Sequence, residues 1–305
     1  ISILFMMGLF GKGVPFLSTA FVKEMDAESG MPLESGYGEK LLGGNHLRIE
    51  APYVIYNEET GYYYMFLSFG GLDSDGGYNI RVCRSENPNG PYVDSMGQDM
   101  KDCKGPAGSA FSDATAEQYG TKLMGGYKFT WKEGEEGEDR KGYLSPGHNS
   151  CLYQEETGKY FIIYHTRFEN SGETHEVRVH QMFFNEEGWP VIAPYRYTEE
   201  SAEKLESKQL VGTYKYINHG RDISPDMKES EELVLNKNNT ISGALEGTWE
   251  LSGDYNITIK TDEAEYKGIA LKQWDEDGKK YVMTFTALDS KSGVVIWGSG
   301  LNAID

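Results

Sequence analysis

Short runs of alternating apolar and polar residues, separated by turn-forming residues, follow one another along most of the chain. This pattern predicts β-strands, and we find no long stretch with helical periodicity. One run is repeated, because YNEETGYYY at residues 56–64 returns as YQEETGKYF at residues 153–161. Each copy has apolar or aromatic residues on both sides of an acidic Thr-Gly turn, which is typical of a β-hairpin. A recurring hairpin favours a repeat fold such as a β-propeller, because a single blade cannot bury its own faces.

The repeat also relates two polar residues that precede the hairpins. Laying one copy on the other puts Glu50 opposite Gly147 and Ala51 opposite His148. Glu50 and His148 are therefore expected to begin equivalent strands at equivalent heights. Because the first strand of each propeller blade lines the central channel, we expect this carboxylate and this imidazole to meet at one axial site.

The remaining strand pattern predicts two domains. Residues 1–198 are expected to form a β-propeller domain, with one blade at residues 53–56, 62–69 and 78–85 and the next at 149–153, 159–167 and 176–184. A polar, Gly-rich stretch at residues 94–142 is expected to form loops around a weaker strand at 127–131. Residues 199–208 form a charged linker, and residues 209–305 are expected to form a smaller all-β barrel or sandwich.

The first twenty residues allow two interpretations. Residues 1–10 are nearly all apolar, so a signal peptide is possible, although a basic segment at its start is missing. The alternative is a strand of an earlier blade, followed by a strand at residues 21–25 and a turn at 26–30. No apolar span reaches twenty residues, so no membrane crossing is expected.

Charge limits the class of ligand. The chain has 29 Lys and Arg against 48 Asp and Glu, a formal net charge of −19. This balance argues against nucleic acid or an anionic membrane as partner and favours a neutral ligand. The three cysteines, Cys83, Cys103 and Cys151, have no metal-site spacing, and their odd number predicts no disulfide framework.

Five motifs, taken in order, resemble a known family. They are IEAPY at 49–53, GGYNIR at 76–81, SPGHNS at 145–150, HTRF at 165–168 and HEVRVHQ at 175–181. Together they resemble the endo-α-1,5-L-arabinanases of glycoside hydrolase family 43, from about residue 22 to residue 197. The resemblance implies a five-bladed β-propeller, of which this chain supplies only the later blades, followed by a small C-terminal β-barrel. Over the last hundred residues it rests on domain order and length only.

What this resemblance implies for activity is an inverting hydrolysis of α-1,5-linked L-arabinan. Such enzymes use an aspartate as general base, a second aspartate that tunes the acid, and a glutamate as general acid, which Glu50 matches. Protonating a departing sugar oxygen near neutral pH needs a carboxyl group with a raised pKa, and the apolar residues beside Glu50 fit that need. The alternative is that Glu50 is an ordinary solvated acid at a strand edge.

The resemblance also implies an ion and a substrate cleft. His148 matches an axial histidine near a metal ion, usually calcium, which one histidine among waters would hold loosely because calcium prefers oxygen ligands. A hydrogen-bonded structural histidine is the alternative. The candidate substrate-binding residues, for which a structural role is equally open, are Tyr78, Asn79, Arg81, His165 and Arg167.

One departure from the family pattern affects the expected activity. No residue matches either catalytic aspartate, and Asp26, the only aspartate before Glu50, lies in a predicted turn. We therefore expect the chain to be catalytically incomplete alone, with an N-terminal propeller portion on a separate chain or lost from this sequence. The alternative is a noncatalytic carbohydrate-binding fragment or one half of an obligate assembly. The family further implies a secreted or periplasmic location and arabinan or arabino-oligosaccharide as ligand.

Overall fold

The protein is all β, as the sequence predicts. The computed structural model describes residues 2–8, 18–45, 47–108, 113–133, 135 and 140–304. Strands of this part of the chain form three open sheets and one closed barrel. Its helical segments are single turns, namely a 3-10 turn at Met100–Asp102, α1 at Asp113–Ala116 and α2 at Ser207–Leu210. None of these described helices is long and apolar enough to cross a membrane.

The three open sheets contain the strands of the predicted propeller. These strands are β1 (Ser2–Gly8), β2 (Ser18–Glu24), β3 (Glu39–Gly43), β4 (Ile49–Asn57), β5 (Tyr62–Phe69), β6 (Asn79–Ser85), β7 (Thr121–Met124), β8 (Tyr127–Lys128), β9 (Tyr143–Gln154), β10 (Lys159–Phe168), β11 (Glu176–Phe184) and β12 (Pro190–Ile192). The first sheet has the order β1-β2-β3 and the second the order β4-β5-β6-β7. Two strands thus lie near the N-terminus, at Ser2–Gly8 and Ser18–Glu24, as one of the two interpretations predicts, and the signal peptide stays a prediction. Strand β7 was not predicted, because it lies in the polar, Gly-rich stretch.

The C-terminal region forms a closed eight-stranded barrel rather than a sandwich. Its strands are β13 (Gly212–Asn218), β15 (Glu231–Leu235), β16 (Thr240–Gly243), β17 (Gly247–Ser252), β18 (Asn256–Lys260), β19 (Glu265–Asp275), β20 (Lys280–Asp289) and β21 (Val294–Gly300). Strand β14 (Lys228–Glu229) leaves the barrel and pairs in parallel with β8, so the third sheet has the order β12-β11-β10-β9-β8-β14. Trp297 of the barrel is fully buried against Tyr127 of that sheet, with ring centroids 5.0 Å apart. The barrel is therefore joined to the propeller sheets by both pairing and core packing.

The sequence repeat is also a repeat of strand register. Glu50 pairs with Ser68 in the β4-β5 hairpin, and the corresponding residues Gly147 and His165 pair in the β9-β10 hairpin. In both hairpins the register then shifts. The residues that follow Glu50 and Gly147 have a positive φ, which is 51° for Ala51 in β4 and 48° for His148 in β9. Such a φ is uncommon outside glycine. The two copies therefore share a local backbone irregularity as well as a sequence.

Adjacent sheets contact each other through their first strands. Strand β4 contacts β9 of the following sheet, and it also contacts β1 and β2 of the preceding one. This is the neighbour relation expected of propeller blades. One expectation was wrong, because β9 begins at Tyr143 rather than at residue 149. His148 therefore lies inside its strand and does not begin it. The number of blades stays a prediction.

Candidate active site

Glu50 and His148 meet, as the repeat predicts. The Nδ1 atom of His148 lies 3.9 Å from Oε1 of Glu50, with side-chain exposures of 61% and 41%. The hydroxyl of Tyr78 donates a hydrogen bond of 2.5 Å to the same Oε1 atom. A solvent-accessible carboxyl group is thus held beside an imidazole and a phenol. We call Glu50, Tyr78, His148 and His165 the carboxylate cluster.

Tyr78 is a buried donor that orients the Glu50 carboxyl group. Its side chain is almost fully buried, and its ring stacks on His165 with centroids 6.0 Å apart. Burial, together with the hydrogen bond to Glu50, raises the pKa of Tyr78 above its ordinary value. The phenol therefore stays protonated at neutral pH and keeps donating to the carboxyl group.

Gly147 provides the space in which the Tyr78 ring lies. A Cβ atom at position 147 would lie 2.1 Å from Cε1 and 2.2 Å from Cδ1 of Tyr78. No side chain fits at this distance without moving the ring. The repeat partner of Glu50 is therefore a glycine because the tyrosine that orients Glu50 packs directly on its backbone.

We expect Gly147→Ala to lower the free energy of unfolding by about 1–3 kcal/mol, because the added methyl group overpacks the site. The displaced Tyr78 ring would also release Glu50. Chemical denaturation measures the first effect. The control is Gly126→Ala, where the nearest heavy atom to an added Cβ is 3.3 Å away and the loss should be smaller. Equal stability of Gly147→Ala and the unchanged protein would contradict this packing.

Ser68 connects the two repeat strands and was missed in the sequence. Its buried Oγ atom accepts a hydrogen bond of 2.8 Å from the backbone N–H of His148 and donates one of 3.1 Å to Oδ1 of Asn149. The Asn149 amide in turn donates to the carbonyl of Ala51 at 3.5 Å. The sequence contained a signal that could have identified Ser68, because Ser68 occupies the position in the first repeat copy that His165 occupies in the second. These bonds fix the height of His148 relative to Glu50.

His165 lies at the centre of a row of rings. It stacks between Tyr78 and His148, at centroid distances of 6.0 and 5.9 Å, and contacts His175 edge-on at 4.3 Å. Burial, together with the charges of His175, His148 and Arg167, lowers the pKa of His165 to about 4. The ring is therefore neutral at neutral pH, where it can accept or donate a hydrogen bond to a neutral ligand.

We expect the His165 ring to titrate near pH 4, well below an exposed histidine at about 6.5. Because the unfolded chain takes up this proton first as the pH falls, His165 contributes a stability that rises with pH between about 4 and 6.5. An NMR titration of the ring measures the midpoint. His165→Gln removes this contribution and should flatten the pH dependence in that window. A midpoint near 6.5 in the folded protein would contradict the burial of the ring.

Arg167 lies near the cluster but is engaged with the protein. Its guanidinium donates to the carbonyl of Leu72 and forms an ion pair with Glu173, Nη2 to Oε2, at 2.8 Å. Glu173 also accepts a hydrogen bond of 2.7 Å from the hydroxyl of Ser74. Arg167 and Glu173 thus hold the loop between β5 and β6, at the end of which Tyr78 lies. The sequence did not single out Ser74 or Glu173.

Asn79 and Arg81 are not brought to the cluster. Both are buried, and Nε of Arg81 donates to Oδ1 of Asn79 at 2.8 Å. The Arg81 guanidinium donates further to the carbonyls of Glu117 and Tyr119, at 2.8 and 2.7 Å. Their hydrogen bonds therefore go to the protein, which is the structural alternative considered for them. We leave Asn79 and Arg81 out of the proposed substrate site.

The metal ion expected at His148 would be held mainly by water rather than by a cluster of protein side chains. Among the described residues, no three His, Cys, Asp or Glu side chains are arranged to hold a metal ion. The His148 side chain is 61% exposed, and hard cations such as calcium need several oxygen ligands, which water would supply there. The calcium site therefore stays a prediction, and no step below depends on it.

The C-terminal region is the part of the chain that a family model recognises. The model of the C-terminal lipocalin-like domain GH43_C matches residues 194–298, which include nearly all of the barrel. Solved structures resemble the larger part of the chain. The family 43 glycoside hydrolase YxiA protein from Bacillus licheniformis has a TM-score of 0.88 at 50% identity, over 93% of this chain and 63% of that one. The endo-1,5-α-L-arabinanase from Thermotoga petrophila RKU-1 has a TM-score of 0.86 at 46% identity, over 95% of this chain and 64% of that one.

Curated relatives agree with these structures. The extracellular endo-α-(1→5)-L-arabinanase 2 of Bacillus subtilis (strain 168) is 52% identical over 280 residues, which are 92% of this chain and 59% of the relative. The extracellular endo-α-(1→5)-L-arabinanase of Thermotoga petrophila is 48% identical over 284 residues, 91% of this chain and 58% of the relative. The chain thus spans about three fifths of the length of the curated relatives that it matches.

Proposed function

We propose that this chain is part of a secreted glycoside hydrolase that cleaves α-1,5-linked L-arabinan internally. The observation that carries the proposal is the 52% identity, over 92% of the chain, to a protein named as an extracellular endo-arabinanase. The net charge of −19 is compatible with a neutral polysaccharide as substrate. The carboxylate cluster supplies a carboxyl group accessible to such a substrate.

Glu50 has the role of general acid in this proposal. Its carboxyl group protonates the oxygen of the departing sugar, while Tyr78 holds Oε1 and so fixes the direction of the carboxyl group. His148 and His165 lie beside the carboxyl group, where they can contact sugar hydroxyls. In an inverting reaction a second carboxylate, about 6.5–9.5 Å away, activates water on the opposite face of the sugar.

We propose that this base comes from a polypeptide segment other than these 305 residues. Asp26 accepts hydrogen bonds from the amide and hydroxyl of Ser29, at 2.8 and 2.7 Å, and so closes a local turn. A partner that co-purifies and carries an aspartate would support the proposal. Should the 305 residues cleave arabinan alone, the exposed Asp73 and Asp75, on the loop that leads to Tyr78, are the first residues to replace.

The test is digestion of linear α-1,5-L-arabinan. Internal cleavage releases arabino-oligosaccharides before arabinose, and inversion gives the β-anomer as the first product, which proton NMR detects. The assay is run with this chain alone and with a longer polypeptide that contains it. If neither releases reducing ends from arabinan, the proposed activity is wrong.

A noncatalytic carbohydrate-binding protein is the second candidate. The observation that favours it is that no residue of the chain matches either catalytic aspartate of the family. It predicts that the protein binds arabinan without producing reducing ends, in this chain and in any longer polypeptide that contains it. The digestion above separates the two candidates.

A further inference from the structure

A second groove lies at the opposite end of the strands that carry the carboxylate cluster. Its volume is about 660 Å³, within the range of ligand pockets. We call it the tyrosine groove, and it is lined by Tyr56, Tyr153, Tyr160, Tyr255, Phe183, Phe184, Glu58, Glu59 and Glu155, among others. Strand β4 has Glu50 near its start and Tyr56 near its end, which places the two about 20 Å apart at ~3.3 Å per residue. The groove is therefore separate from the proposed reaction site.

The internal repeat places a pair of tyrosines in contact in each hairpin, tilted in the first and stacked in the second. Tyr56 faces Tyr63 across the first hairpin with ring centroids 4.7 Å apart, and Tyr153 faces Tyr160 across the second at 4.5 Å. Tyr56 and Tyr153 remain 48% and 45% exposed. Adjacent exposed aromatic surfaces on a soluble protein commonly mark a binding site, and a tyrosine offers both a flat apolar face and a hydroxyl.

The charges around the groove favour a neutral ligand rich in hydroxyl groups. Glu58, Glu59 and Glu155 line it and can each accept hydrogen bonds from hydroxyls. The lysine that lines it, Lys159, is engaged, since its Nζ atom donates to the hydroxyl of Tyr197 at 3.0 Å and to the carbonyl of Glu200 at 2.7 Å. An anionic ligand would meet three carboxylates against the one lysine of this lining.

The barrel contributes to the same groove. Tyr255, in the turn between β17 and β18, lines it together with Ser201 and Ala202 of the segment that leads to the barrel. Both hairpins of the repeat and the C-terminal region therefore surround one space. A ligand in the groove would touch all three.

We propose that the tyrosine groove is a second, noncatalytic binding site for a neutral oligosaccharide, whose sugar rings lie on Tyr56 and Tyr153. The identity of that oligosaccharide as an α-1,5-L-arabinan segment rests on the proposed function. A site remote from Glu50 holds the protein on the polymer whether or not a bond is being cleaved.

The experiment is affinity electrophoresis of the protein in gels that contain linear arabinan, with dextran gels as the reference. Tyr153→Ala and Tyr56→Ala should each weaken retardation by arabinan roughly tenfold in apparent Kd, because each removes an aromatic contact surface. Tyr153→Phe keeps the ring and should stay within about threefold of the unchanged protein. The matched control is Tyr281→Ala, which removes an exposed tyrosine paired with Trp274 at 5.0 Å outside the groove. Its retardation should not change.

A thermal melt of each variant shows whether it is folded. Glu50→Gln tests whether the carboxylate cluster and the tyrosine groove act separately. In the polypeptide that shows activity, Glu50→Gln should lose hydrolysis and keep retardation. If arabinan is cleaved but the Tyr56 and Tyr153 variants are retarded like the unchanged protein, the groove proposal alone is wrong. If arabinan is not cleaved even by a longer polypeptide that contains this chain, but retardation depends on these tyrosines, the proposed function alone is wrong. Absence of retardation of the unchanged protein overturns the groove proposal.

Discussion

Glu50→Gln is expected to lower arabinan hydrolysis by about 10²- to 10⁴-fold, the usual cost of losing a general acid. The amide has the shape of the carboxyl group and can still accept the hydrogen bond from Tyr78, but it cannot donate a proton to the leaving oxygen. The fold should therefore be nearly unchanged. The measurement is kcat/KM on linear arabinan, in the polypeptide that shows activity.

The leaving group separates the acid role from other roles of Glu50. Aryl arabinosides with activated leaving groups need little protonation, so Glu50→Gln should affect them much less than arabinan. Equal losses of activity on both substrates would show that Glu50 is not the general acid. Glu250→Gln, at an exposed position of the barrel, is the control that should leave both activities unchanged.

Asp275→Ala is expected to lower the free energy of unfolding by about 3 kcal/mol, because a buried arginine loses its bidentate partner and is left with the Glu135 carboxylate at 3.2 Å. Arg140 donates to both carboxylate oxygens of Asp275, at 3.0 and 2.7 Å, and both side chains are almost completely buried. Trp131 lies against the same guanidinium, 4.3 Å from ring centroid to Cζ. Denaturation in urea measures the loss.

The pH dependence gives a second test of this ion pair. Burial by itself raises the pKa of Asp275, but the hydrogen bonds and the charge of Arg140 outweigh it, and the pKa is lowered. The pair therefore contributes stability that is present above the ordinary pKa of aspartate, about 3.9, and is lost as the pH falls through the lower pKa of the folded state. In Asp275→Ala the free energy of unfolding should therefore fall less as the pH is lowered through this range.

The control is an ion pair at the surface. Asp254 lies 3.9 Å from Lys204, and both side chains are mostly exposed. Asp254→Ala should therefore change the free energy of unfolding by about 0–1 kcal/mol. If Asp275→Ala costs no more than Asp254→Ala, the buried pair does not hold the barrel to the segment that carries Arg140.

The sequence determined the hairpins and the meeting of Glu50 with His148. Alternating residues and Thr-Gly turns act over a few neighbours, so strands β5, β6, β10 and β11 could be predicted closely. The strand register of the two hairpin copies extended the prediction beyond each hairpin. Because each hairpin copy fixes the height of its first strand, two residues far apart in sequence could be placed side by side.

The tertiary structure alone decided which polar residues are accessible. Asn79 and Arg81 belong to the same motif as Tyr78, yet only Tyr78 reaches Glu50. Arg81 donates to the carbonyls of residues 117, 119 and 221, and Asn79 donates to those of Phe69 and Gly77. The pairing of β14 with β8 and the Arg140–Asp275 pair also join residues a hundred or more positions apart. Local pattern carries no information about such partners, since burial depends on which surface another segment covers.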